Sequence, residues 1–95
     1  MENILNIYNH TNINNINIYL PVSFTKLLQK KQVIVRLQEN FMIIKEASIS
    51  DNRYFTINKN NTITYTAKNI KEYVGSHSYE IENEELIIDL NKNET

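Results

Sequence analysis

The order of predicted secondary-structure elements occurs twice in this 95-residue chain, and that repeat constrains the fold more than any other feature. Residues 17–45 predict a strand, a short helix, a strand, a tight turn and a strand, and residues 62–90 predict the same order more faintly. At an offset of 45 residues the two stretches share few identities, and a chain rich in Asn and Ile produces some by chance. Two interpretations stay open: a true internal duplication, and an α+β meander with two helices.

The single proline and the single glycine of the chain mark the predicted helix boundaries. Pro21 ends the alternating run 16–20, and apolar residues at i, i+3 and i+4 follow it, so we predict a helix of about two turns there. A second short helix is predicted over residues 67–74, with Thr66 as its N-cap and Gly75 as its C-terminal cap.

Short alternating runs separated by Asn- and Asp-bearing turns predict strands through most of the remaining chain. We therefore predict an α+β fold of mostly antiparallel β-strands with two short helices, in one compact domain over residues 1–95. If the repeat is a duplication, residues 14–46 and 60–90 are two β-α-β-β units that form one small barrel or an intertwined dimer. The tail at residues 91–95 is predicted to fray.

Motifs of catalysis and metal binding are missing from the sequence. The chain has no cysteine, which excludes a disulfide framework, a zinc–thiolate site and a thiol nucleophile. His10 and His77 have no partner motif and are predicted to be surface histidines, and one glycine leaves no phosphate-binding loop. We predict no enzyme activity, no cofactor and no metal site. No apolar run is long enough to span a membrane, so we expect a cytoplasmic protein.

The net charge of −1 hides two regions of opposite sign. Residues 1–75 carry nine basic and five acidic residues, and residues 76–95 carry one basic and six acidic residues. The candidates for contacting the phosphates of double-stranded DNA are Lys26, Lys30, Lys31, Arg36, Lys45, Arg53, Lys68 and Lys71. The candidates for contacting a basic protein are Glu80, Glu82, Glu84 and Glu85.

The sequence Asn-Ile-Tyr-Leu-Pro at residues 17–21, the short Leu-rich helix and the strand–turn–strand sequence at residues 32–45 resemble the AbrB/MazE swapped-hairpin family. The resemblance covers about a third of the chain, or two thirds if residues 62–90 are included. In that family two such units interlock into one barrel and bind DNA as dimers through basic groups. The resemblance therefore implies a small DNA-binding transcription regulator or antitoxin-like protein that forms a homodimer.

A second hypothesis is a non-enzymatic protein-interaction module from a mobile element, acting as an inhibitor or adaptor. The chain has six tyrosines, more than a core of this size can bury, and tyrosine is enriched at binding hot spots. They are Tyr8, Tyr19, Tyr54, Tyr65, Tyr73 and Tyr79. Together with the acidic residues 80–85, they predict a basic host protein as the partner. The sequence leaves both hypotheses open.

Overall fold

The computed structural model describes residues 3–9, 15–66 and 73–90, and these residues fold into a nearly closed antiparallel barrel. In chain order its elements are β1 (Ile4–Asn9), β2 (Asn15–Tyr19), α1 (Val22–Thr25), β3 (Gln32–Gln38), β4 (Phe41–Glu46), β5 (Phe55–Thr56), β6 (Thr62–Thr66), β7 (Gly75–Glu82) and β8 (Glu85–Asp89). The strands follow the order β5-β3-β4-β8-β7-β1-β2-β6, and every neighbouring pair is antiparallel.

The two edge strands, β5 and β6, come together where the barrel nearly closes. The turn at residues 57–61 joins them, and within it the Asn58 side chain accepts hydrogen bonds from the Thr62 amide at 3.1 Å and the Thr62 hydroxyl at 2.7 Å. The rings of Phe55 and Tyr65 lie 5.5 Å apart across this junction. A short edge strand and a packed turn protect sheet edges against pairing with other chains.

The predicted α+β fold with two short helices is wrong, because 57% of the described residues lie in strands and 5% in helix. α1 ends after one turn because the next amides bond three residues back, Leu27 to Phe24 at 3.0 Å and Leu28 to Thr25 at 3.2 Å. Such 3₁₀ bonding seldom continues for long. The carboxylate of Glu46 then accepts the two amides that follow, at 3.0 and 2.6 Å, and draws the chain towards β4.

The second predicted helix lies largely outside the described residues, as does the tail at residues 91–95. The residues predicted to cap it are in strands. Thr66 ends β6, and its hydroxyl donates to Asn15 Oδ1 at 2.7 Å. Gly75 begins β7 opposite Ile7, and its φ of +130° differs from the left-handed helical conformation of a C-terminal cap. The predicted role of Gly75 as a C-terminal cap is therefore wrong, and the N-cap predicted at Thr66 depends on residues outside the described ranges.

Apolar side chains at alternating strand positions fill the barrel. In β1 and β2, Leu5, Ile7, Ile16 and Ile18 occupy alternate positions that face the core, and each is at most 5% exposed. Phe24 adds a ring from α1 that is fully buried in the same cluster. The buried apolar residues are Leu5, Ile7, Ile16, Ile18, Leu20, Phe24, Val33, Met42, Ile44, Ala47, Ile57, Ile63, Leu86 and Ile88.

His77 is also buried, with 5% of its surface exposed, so the prediction of a surface histidine is wrong at this position. It lies on the inner face of β7 because side chains alternate along a strand. Its Nδ1 lies 3.1 Å from the carbonyl oxygen of Asp89, and its Nε2 lies 2.6 Å from that of Tyr73. A neutral ring can donate to one of these oxygens, and a charged ring can donate to both. The contacts tie β7 to the end of β8 and to the residues before β7.

The strand order has an internal two-fold symmetry. Exchanging β1 with β5, β2 with β6, β3 with β7 and β4 with β8 gives the same order around the barrel. In the β2/β6 pair, Ile18 lies opposite Ile63, the residue 45 positions later in the chain. Two interlocked four-stranded units would have this order. A duplication of the sequence and a relationship to the AbrB/MazE family both stay predictions, since strand order alone does not establish common descent.

Candidate protein-interaction surface

The outer surface of β3, β4, β8 and β7 has an apolar centre with acidic side chains along one side. One row runs across all four strands, in which Arg36 lies opposite Ile43, Ile43 opposite Ile87, and Ile87 opposite Glu80. Phe41 begins β4 beside this row and is 38% exposed. We name this surface the acidic face, defined by Phe41, Ile43, Glu80, Glu82 and Ile87.

Two adjoining depressions open on the acidic face, with volumes of about 580 and 360 Å³. Phe41, Glu80 and Ile87 line both of them. A side chain placed in either depression would contact apolar carbons and lie close to a carboxylate. Protein interfaces combine such an apolar centre with a polar rim.

The carboxylates concentrate at the β7–β8 turn. Glu82 lies opposite Glu85, and like charges directly opposite each other on a sheet destabilise it. Between them, Asn83 and Glu84 form the turn with φ values of 51° and 64°. Continuing the β4–β8 register by one residue places Lys45 beside Glu85 on the same outer surface, so one basic group already stands next to the acidic pair. A positively charged partner would add to this compensation.

The basic candidate residues are spread over several elements. Lys26, Lys30, Lys31 and Arg53 are exposed in α1's C-cap and the loops, Arg36 is exposed on β3, and Lys45 is half-buried on β4. Lys68 and Lys71 lie outside the described residues. Acidic groups stand among them. The amide and hydroxyl of Ser48 hold the pKa of Asp51 below its usual value, and the charge of Lys45 contributes to the same shift.

The six tyrosines divide into two groups. Tyr8, Tyr19 and Tyr54 are about half exposed, whereas Tyr65, Tyr73 and Tyr79 are partly buried against the core. Burial raises the pKa of Tyr65, and the neighbouring Tyr73 adds to the shift. The sequence argument that the core could not bury all six therefore applies to three of them.

Sequence reasoning missed the apolar centre of the acidic face. The signal was present in two uninterrupted apolar runs, residues 41–44 and 86–88. A strand with one face in water alternates apolar and polar residues, so a continuous run indicates apolar groups on both faces. Ile44 and Leu86 fill the barrel, while Ile43 and Ile87 lie on its outside.

Within the described parts of the chain, no group of three or more His, Asp or Glu side chains is placed to hold a metal ion. In those same ranges, no helix has the length and apolar character needed to cross a membrane. The predicted terms DNA binding and transcription regulation gain no support from the barrel. Comparisons with protein-family models, curated proteins and solved structures returned no match.

Proposed function

We propose that this chain is a non-enzymatic protein-interaction module that binds a basic partner protein through the acidic face. The proposal rests on the row of side chains in which Ile43 lies opposite Ile87 and Ile87 lies opposite Glu80. Phe41 and Glu82 line the same depression beside this row. Apolar groups at the centre supply the binding free energy, and the carboxylates select a partner of opposite charge.

The charge on this face favours a protein partner over DNA. Phosphates approaching the barrel here would meet Glu80, Glu82 and Glu85, whereas the basic residues of the same described surface are Arg36, at the opposite end of the row, and Lys45, beside Glu85. A lysine or arginine of a protein partner would gain from the same carboxylates, including the repelling pair Glu82 and Glu85. This chemistry fits an inhibitor or adaptor in the cytoplasm. Proteins of that reducing compartment rarely contain disulfides, and this chain has no cysteine.

The test uses a cationic amphipathic peptide in which lysines alternate with leucines, titrated into the isotope-labelled protein. We expect amide chemical-shift changes to concentrate on β4, β7 and β8. The double variant Glu80→Gln/Glu82→Gln should lower the affinity about tenfold at low salt, equivalent to about 1.4 kcal/mol. High salt should weaken binding to the native protein, because the carboxylates are exposed.

A matched control is the double variant Gln29→Lys/Asn52→Lys, which changes the net charge by the same amount at exposed positions away from the acidic face. Its affinity for the peptide should stay within about twofold of the native value. An equal loss in both double variants would show that net charge alone matters and would refute the proposal. The regulator hypothesis would replace the proposal if the protein bound duplex DNA more tightly than the peptide. In that case Arg36→Ala and Lys30→Ala/Lys31→Ala would each lower the affinity for DNA.

A further inference from the structure

A second groove lies beside the acidic face, where β1, β2 and the first turn of α1 meet, and Tyr79 lines both this groove and one of the acidic-face depressions. Its volume is about 640 Å³. Four large apolar residues that line it are exposed: Ile4 by 56%, Tyr8 by 48%, Tyr19 by 45% and Val22 by 65%. We name it the tyrosine groove and define it by these four residues with Asn6 and Asn17. Exposed apolar residues gathered in one place mark a binding site more reliably than scattered ones.

The two tyrosine rings are arranged edge to face. Their centroids lie 5.4 Å apart with an interplanar angle of 87°. Tyr8 and Tyr19 project outward because Ile7 and Ile18 beside them face the core. In an edge-to-face pair the rings do not stack on each other, so their exposed ring surface stays available to a ligand. The groove therefore offers flat aromatic surface at a fixed angle.

Two asparagine amides complete the groove. Asn6 Oδ1 accepts a hydrogen bond from the Ser76 hydroxyl at 2.7 Å, and Asn17 Oδ1 accepts one from the Thr64 hydroxyl at 2.9 Å. These bonds fix the oxygen of each amide on a neighbouring strand. Among the described residues, neither amide nitrogen has an acceptor. Each NH₂ group carries two donors, so the groove presents hydrogen-bond donors beside aromatic rings.

No acidic or basic side chain lines the groove within the described ranges. Stacking of nucleotide bases on tyrosines requires nearby cations to neutralise the phosphates, and this groove supplies none. A charged peptide would likewise leave its charge without a partner. The matching ligand is uncharged, presents carbonyl acceptors with few N–H donors of its own, and carries flat apolar rings.

We propose that the tyrosine groove binds an uncharged proline-rich peptide segment in the polyproline II conformation. Proline has a carbonyl acceptor and no backbone N–H, and its ring packs on aromatic side chains. Asn17 lies opposite Tyr8, two residues from Asn6, so the two amides are diagonal neighbours about 7–8 Å apart. Polyproline II advances about 3.1 Å per residue, so carbonyls two or three residues apart span this distance.

The test titrates an acetylated and amidated polyproline peptide of about ten residues into the labelled protein. Tyr19→Ala should lower its affinity about tenfold. Tyr54→Ala, which removes a tyrosine of similar exposure outside the groove, should change the affinity less than about twofold. Asn6→Asp and Asn17→Asp keep the oxygen that accepts the hydroxyl bond and replace the donor. Each should lower the affinity about fivefold or more in a protein that still folds.

The salt dependence of the affinity distinguishes binding at the tyrosine groove from binding at the acidic face. Between low and high salt the polyproline affinity should change less than about twofold, and Glu80→Gln/Glu82→Gln should leave it unchanged. Loss of affinity in that acidic-face variant, or no saturable binding of the native protein, overturns the tyrosine groove proposal. Equal binding of a glycine–serine peptide of the same length overturns the proline specificity. If the native protein bound oligothymidine and Tyr19→Ala lowered that affinity, the ligand of the groove would be single-stranded nucleic acid instead.

Discussion

Replacing His77 with phenylalanine tests whether the buried ring stabilises the barrel through hydrogen bonds or through packing alone. The imidazole contacts the carbonyl oxygens of Tyr73 and Asp89, and the side chain is 5% exposed. Phenylalanine fills a similar volume and donates no hydrogen bond, so His77→Phe removes the hydrogen bond that the imidazole donates to a backbone carbonyl while keeping most of the packing.

The expected loss of unfolding free energy is about 2 kcal/mol. A neutral imidazole donates to one of the two carbonyl oxygens, and a buried carbonyl deprived of its donor costs about 1–3 kcal/mol, so the middle of that range applies. Urea unfolding followed by tyrosine fluorescence measures this, because the chain has no tryptophan. With a slope of about 1.5 kcal/mol per molar urea, the midpoint should fall by more than about 1 M.

Tyr79→Phe is the matched control, because Tyr79 lies two residues further along the same face of β7 and loses only a hydroxyl. Its unfolding free energy should change by less than about 0.5 kcal/mol. If His77→Phe is as stable as Tyr79→Phe, the two nitrogen–carbonyl contacts contribute nothing and the argument from buried carbonyls is refuted.

Three further predictions concern other elements. Glu84→Gly should raise the unfolding free energy by about 0.5–1 kcal/mol in urea, because a glycine relieves the positive φ of 64°; an unchanged midpoint would contradict this. Phe24→Ala should lower the unfolding free energy by about 3–5 kcal/mol in thermal melts, because the ring is fully buried. Ser23→Ala, at an exposed position, is the control. A loss below about 1 kcal/mol in Phe24→Ala would show that this ring does not anchor α1. Burial raises the pKa of Tyr65, so the contribution of its neutral form to stability is complete below pH about 10 and is lost as the pH rises through the folded-state pKa. The variant Tyr65→Phe should therefore show a smaller fall in unfolding free energy at alkaline pH. An identical fall in the variant and the native protein would contradict the raised pKa.

The alternating run at residues 16–20 correctly predicted a strand, because its apolar residues recur with the period of two that a strand with one buried face requires. Sequence reasoning failed at α1, where Leu27 and Leu28 have helical spacing but bond three residues back and meet the carboxylate of Glu46. Glu46 is distant in sequence, so no local pattern could show that it ends the helix. Gly75 was misinterpreted for a related reason, since its place in β7 depends on pairing with β1.

The candidate surfaces were only partly predictable. Alternation in β7 placed Glu80 and Glu82 together, which needs no tertiary information. Their apolar neighbours, Ile43 and Ile87, come from strands that pair across a long stretch of chain. The tyrosine groove likewise depends on α1 bringing Val22 next to β1, a contact that follows from the complete barrel.

The position of the β7–β8 hairpin between β4 and β1 has a consequence for how the chain folds. Residues 3–66 alone would leave β4 and β1 each with an unpaired edge, since their partners β8 and β7 come later in the chain. Contacts between β1 and β7 span most of the chain, and such distant pairings slow folding. During synthesis, therefore, the barrel cannot close until the β7–β8 hairpin emerges. Until then the incomplete chain exposes two unpaired strand edges, which favour aggregation.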